Sequence, residues 1–176
     1  VPSQSGSLTY TGSTQSPTWA GYDSSKMTIG GTTSGTNAGS YNATFTPGSN
    51  YQWTDGGSAE KAVPWTIGKA TGSLSLNKSS ISLNVSKMSD TITVTRPGTG
   101  VISAVSSAPS VASVSVSGNV VTVTGKAKGN ATITVSVAAD TNYTAPADKT
   151  CSVNVTLPTN TLNDNDWATI KQVSDS

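Results

Sequence analysis

The sequence predicts an all-β chain made of two tandem antiparallel β-sandwiches, followed by a short helical C-terminal segment. Three observations predict it. Apolar residues recur at period two in one segment after another. Glycine, proline, asparagine and aspartate punctuate those segments at a spacing of roughly 8–12 residues. A pattern in the first half also returns in the second, as expected of repeated architecture.

In the N-terminal half Tyr41, Ala43 and Phe45 alternate with polar residues, and Val63, Trp65 and Ile67 do the same. The Gly/Ser/Thr-rich stretch from Gly30 to Gly39 is flanked by alternating residues, so it reads as strand and turn. Further on come Ile81, Leu83 and Val85, then Ile92 and Val94. Ala112, Val114 and Val116 follow, then Val121 and Val123. The last two runs are Ala131, Ile133, Val135 and Val137, and Cys151, Val153, Val155 and Leu157. One apolar face per strand suits two sheets packed across a core. Turn signals fall at Ser89-Asp90, Pro97-Gly98, Gly118-Asn119, Gly125 and Gly129-Asn130.

The echo sets the domain count. Gly39, a strand, Asn50-Tyr51, a loop, Glu60-Lys61 and a strand reappear as Gly129, a strand, Asn142-Tyr143, a loop, Asp148-Lys149 and a strand. The expected modules are residues 1–70 and 71–157. Residues 158–176 read as a linker and the start of a further domain. There Asp164 and Asp166 precede Trp167, Ile170 and Val173, whose spacing gives one face of a short helix with acidic caps. The segment lacks the glycine and terminal glutamate of an EF-hand loop, so capping accounts for these aspartates better than calcium does.

Composition narrows the chemistry. Of 176 residues, 11% are charged and 6% aromatic, the net charge is +1, and there is no histidine and a single cysteine. A Ser-His-Asp triad, a Cys-His pair, a His-containing zinc site and an internal disulfide are therefore excluded. Near-zero charge argues against nucleic acid as a partner. Serine and threonine make up about a third of the chain, and the apolar residues are largely Val and Ile, which favour a folded sheet over disorder. No apolar run approaches the ~18–20 residues of a membrane span, and Val1-Pro2-Ser3-Gln4-Ser5 lacks the basic and apolar regions of a signal peptide.

The second module resembles the group 2 bacterial immunoglobulin-like domain. The resemblance rests on Ser110-Val111-Ala112-Ser113-Val114, Gly118-Asn119-Val120-Val121-Thr122-Val123, and the run Gly125-Lys126-Ala127-Lys128-Gly129-Asn130-Ala131-Thr132-Ile133-Thr134-Val135. The first module resembles a related repeat of Firmicutes surface and prophage proteins through Tyr10-Thr11-Gly12, Gly35-Thr36-Asn37-Ala38-Gly39-Ser40-Tyr41 and Trp65-Thr66-Ile67-Gly68-Lys69-Ala70. The resemblance implies immunoglobulin-like sandwiches, extracellular display, and a role as spacer, adhesion module or weak carbohydrate binder. It implies no catalysis, no cofactor and no metal. The expected function is non-catalytic display and adhesion on a bacterial cell surface, the alternative being decoration of a phage virion. The expected partner is a cell-surface or mucus glycan, or a protein ligand.

The candidate binding residues are aromatics beside small polar loop residues, which offer contact area at low entropic cost. They are Trp53 with Asp55, and Trp19 with Tyr22; for each tryptophan the competing reading is a ring folded over the end of the sandwich. Trp65 lies between Val63 and Ile67 and reads as core. Cys151 shares a face with Val153 and Val155 and reads as a buried small hydrophobe. Tyr51 and Tyr143 hold equivalent places in the echo, which suggests loop ties like the tyrosine corner of immunoglobulin sandwiches. A self-formed isopeptide from Lys26 or Lys61 with Glu60 needs a buried lysine beside a buried acid, and adjacent residues 60 and 61 point to opposite faces of a strand.

Overall fold

A computed structural model gives the fold, and it describes residues 1–156. The expected linker, the helix at Trp167 and the further domain lie outside the described residues. Two compact units emerge. One comprises Val1–Leu74 together with Arg96–Val101 and Ser136–Ala147; the other comprises Ser75–Thr95, Ile102–Val135 and the stretch from Asp148 on. No helix occurs among the described residues.

The N-terminal unit contains β1 (Ser3–Ser5), β2 (Leu8–Thr9), β3 (Thr18–Ala20), β4 (Met27–Gly31), β5 (Gly39–Pro47) and β6 (Lys61–Gly68). The second contains β7 (Ser75–Leu76), β8 (Ser80–Asn84), β9 (Ser89–Thr95), β10 (Ile102–Ser106), β11 (Ala112–Ser117), β12 (Val120–Gly125), β13 (Gly129–Val137, its last two residues counted with the first unit) and β14 (Lys149–Thr156).

In the second unit the strands form two four-stranded sheets, ordered β11-β12-β9-β7 and β10-β13-β14-β8. Lettered in chain order as A, A′, B, C, D, E, F and G, these are D-E-B-A and C-F-G-A′. That is the strand order of an immunoglobulin sandwich. Ile92, Val94, Val121 and Val123 from one sheet and Leu83, Ile133, Val135, Val153 and Val155 from the other are buried. A β-carbon added to Gly125 of β12 would lie 3.1 Å from Val155 and 3.2 Å from Leu83. The two inner faces therefore meet where only a glycine leaves room.

The N-terminal unit carries the same C-F-G-A′ sheet, here β4-β5-β6-β2, with β1 and β3 paired as A and B. The hairpins correspond in register: Gly39 faces Ile67 as Gly129 faces Val155. The chain runs from β4 to β5 through residues 32–38 with no strand in the D and E positions. Its core is smaller and depends on aromatics: Phe45, Trp53 and Trp65 with Ala43, Val63 and Ile67, flanked by Trp19, Tyr22, Met27 and Ile29.

The corner tyrosine differs from expectation. Tyr51 is 46% exposed, and Tyr143, counted with the N-terminal unit, packs edge-on against Tyr10. The tyrosine that ties backbone to sheet is Tyr41, near the start of β5. Its hydroxyl donates to the Asn37 carbonyl at 2.7 Å and its ring stacks on Trp65 with centroids 4.6 Å apart. This is the F-strand position of the immunoglobulin corner. Val85 also departs from expectation: β8 ends at Asn84, whose side-chain oxygen accepts the Ser86 and Lys87 amides, and this Asx turn leaves Val85 64% exposed.

Tyr41 gives a direct test. A β-carbon on Gly35 would sit 2.6 Å from its ring. Because the ring is held by Trp65 and the hydroxyl bond, it cannot swing aside freely. Denaturant unfolding of Tyr41→Phe is expected to show a loss of about 1 kcal/mol, the worth of one hydrogen bond. Gly35→Ala is expected to cost about 1–3 kcal/mol through overpacking. Wild-type stability in both variants would mean that Tyr41 does not tie the β4–β5 connection to the sheet.

Candidate functional site

The four expected binding residues fall into two clusters of the N-terminal unit. Trp19, on β3, meets Phe45 edge-on at 4.9 Å, and Tyr22 meets the same ring at 5.7 Å. Phe45 is the only phenylalanine of the chain, and these rings build the layer that covers it. Both side chains are half-buried. The turn after Tyr22 is set by Asp23, whose carboxylate accepts the Ser25 hydroxyl and amide and pairs with Lys26. Those bonds, the Ser25 hydroxyl first, hold its pKa at about 2.

Trp53 and Asp55 come together through Lys61. The Trp53 ring is 6% exposed, and its indole N–H donates to the Ala59 carbonyl at 2.8 Å. The Lys61 ammonium lies 5.5 Å from the ring centroid and pairs with Asp55. The lysine lowers the Asp55 pKa, assisted by the Gly57 amide. With its N–H satisfied, its ring buried and a cation over its face, Trp53 offers no open stacking surface. Trp53 thus lies as a ring folded over the end of the core, the competing reading at this position, and the small core of this unit needs its area.

Other reactive candidates are likewise quiet. Cys151 is 0% exposed, and burial pushes its thiol pKa up, away from the thiolate that nucleophilic chemistry needs. Lys61 and Glu60 have separate exposed partners, Asp55 and the Thr46 hydroxyl, which is not the buried lysine–acid pair an isopeptide requires. Asp90 accepts bonds from Lys78 and Lys87, which hold its carboxyl well below the usual carboxylate range. Asp140 accepts the Thr99 amide at 2.6 Å and the Asn142 and Tyr143 amides at 2.8 Å, and its pKa falls to about 2. It organises a loop from segments 41 residues apart.

Sequence reasoning missed a shallow trough of about 340 Å³ on the outer face of the β10-β13-β14-β8 sheet. Its rim carries Ser80, Ser82, Asn130, Thr132, Ser152 and Asn154. Asn154 donates to Asn130 across the strands at 2.7 Å. These groups are uncharged and both donate and accept hydrogen bonds, so the face can engage neutral polar ligands but lacks a nucleophile, a base or a charge. The outward positions of strands facing a core are its only sequence signal, and every strand has them.

The assignment of Trp53 and Trp19 to the core is tested by truncation. Each alanine variant is expected to lose about 3–5 kcal/mol if fully core, and less for the half-buried Trp19. Circular dichroism melts would read the loss. A Trp53→Ala variant with unchanged melting would return Trp53 to the surface.

No family model matches the chain, and no curated protein matches it. Among solved structures it is similar to domains 4 and 5 of the S-layer protein SbsC, at 19% identity over 80% of this chain and 82% of that one, with a TM-score of 0.39. It is also similar to the fibronectin(III)-like modules of CbhA from Clostridium thermocellum, at 15% identity over 91% and 94% with a TM-score of 0.36. The tandem Ig repeats of Dlar match at 8% identity over 89% and 95% with a TM-score of 0.38. The fold assignment rests on strand order and register rather than on these likenesses.

Proposed function

We propose that this chain is a non-catalytic display and spacer segment of a bacterial cell-surface protein, exposed outside the cell. One observation carries the reading. In each unit an early strand lies parallel to the last one: β2 along β6, with Leu8 facing Ile67, and β8 along β14, from Ser80 facing Ser152 to Asn84 facing Thr156. Parallel neighbours place the start of one strand and the end of the other at opposite ends of their ladder. The start of the early strand and the end of the last strand thus lie at opposite ends of the sheet, which suits a module strung in series. A pull on the two ends shears the ladder along its length instead of opening it one bond at a time.

The surface chemistry agrees with that role. Weak net charge and a Ser/Thr-rich exterior give salt-independent solubility with little non-specific attraction. Adhesion in this reading runs through the neutral outer face of the β10-β13-β14-β8 sheet, because the aromatic candidates cover a core.

Antibodies raised against the chain test the reading on intact source cells. Labelling before permeabilisation is the expected result. Labelling only after lysis would refute it, and labelling of released phage particles but not of cells would replace it with the virion reading.

A further inference from the structure

Strand β11 ends its sheet and pairs only with β12 among the described residues. The ladder dictates which of its backbone groups face outward. Gly125 donates to Met88 and Val94 donates to Asn119, so the odd-numbered residues of this β12 segment bond towards β9. The even ones, Val120, Thr122 and Thr124, then bond to Ser117, Ser115 and Ser113. The N–H and C=O groups of Val114 and Val116 therefore point away from the sheet. Val114 is half-buried and Val116 is 38% exposed.

An unpaired edge is usually guarded by a charge, a proline, a bulge or brevity. Of the other edges of the four-stranded sheets, all but β10 show such guards: β2 and β7 have two residues each, β8 is flanked by Lys78 and Lys87, and β4 follows Lys26 and ends at Gly31 with φ +70°. Strand β11 has none of these. Its six residues hold an unbroken register from Ala112 to Ser117, and no charged residue occurs anywhere between Pro97 and Gly125. Strand β10 is also uncharged, but its sequence, Ile102-Ser103-Ala104-Val105-Ser106, is not symmetric on reversal.

The β11 sequence is self-complementary. Reversed about Ser115, Val114 meets Val116 and Ser113 meets Ser117. We propose that β11 is a homotypic interface through which a second copy of this chain pairs edge to edge, antiparallel, about a two-fold axis at Ser115. Val114 and Val116 of each copy exchange backbone N–H···O=C bonds with Val116 and Val114 of the other. Their half-exposed side chains cover one another, and no like charges oppose the approach. The two Ser115 residues face each other as a non-hydrogen-bonded pair, with Cα atoms about 4.5 Å apart. The contact is symmetric and closed, so it stops at the dimer. The proposal does not depend on cell-surface display.

Sedimentation velocity of the full 176-residue chain over a concentration series is the test. Ser115 is exposed in the single chain, so charges placed there leave the fold intact, which melting curves would check. A concentration-dependent dimer is expected for the parent. Ser115→Lys and Ser115→Asp should each weaken it at least tenfold, and mixing the two variants should restore a heterodimer. Ser115→Cys should form a disulfide-linked dimer on mild oxidation and Ser80→Cys should not, because this pair spacing lies within disulfide reach and the native Cys151 is buried. A parent chain that stays monomeric at its highest soluble concentration would overturn the proposal. So would a dimer indifferent to Ser115→Lys.

Discussion

The central hairpin of one four-stranded sheet in each unit, β5–β6 in β4-β5-β6-β2 and β13–β14 in β10-β13-β14-β8, imposes the constraint on which the remaining structure depends. Side chains alternate with a period of two, so a slip of one residue would turn the whole inner face to water. In β13–β14 the inner set is Ala131, Ile133 and Val135 against Cys151, Val153 and Val155, all buried. In β5–β6 it is Ala43 and Phe45 against Val63, Trp65 and Ile67. Once that register is set, the early strand of each unit has one place to lie, parallel along the outer side of the hairpin. It seats Leu8 in one unit, and Ile81 with Leu83 in the other.

The two units meet the same demand with different material. The second builds its core from aliphatic residues of two complete sheets. The first has no D and E strands, so its core draws on rings from loops and short strands: Trp53 from the long β5–β6 connection, Trp19 from β3, and Tyr22 after it. That shortage explains the inward turn of these rings. It also explains the role of Tyr41, which spans Trp65 and the Asn37 carbonyl and so fastens the β4–β5 connection to the sheet.

The alternating strands β5, β6, β8, β9 and β11 to β14 could be read from the residues, because one inner face per strand leaves a period-two trace. Strands β1, β2, β3 and β7 could not, since two or three residues carry no period. Strand β10 hid for another reason: its inward positions are Ile102, Ala104 and Ser106, while Val105 faces out, so apolarity and direction disagree. Val85 showed the opposite error, an apolar residue in phase with a strand that the Asn84 turn had already ended. The direction of Trp53 depended on how much core its unit lacked, and the Asp140 knot on amides distant in sequence; neither is a local property. The β11 edge was visible only as an alternating strand, and its exposure follows from strand order.

The early strand has to be a full member of its sheet, because its pairing closes that sheet and sets its own start and the end of the last strand at opposite ends of their ladder. Native-state hydrogen exchange measures this directly, residue by residue. Amides of β8 that bond to β14 are expected to exchange only through the same global opening as Val153 and Val155 in β14. Exchange of those β8 amides as a frayed edge, at a much lower opening free energy than β14, would contradict it.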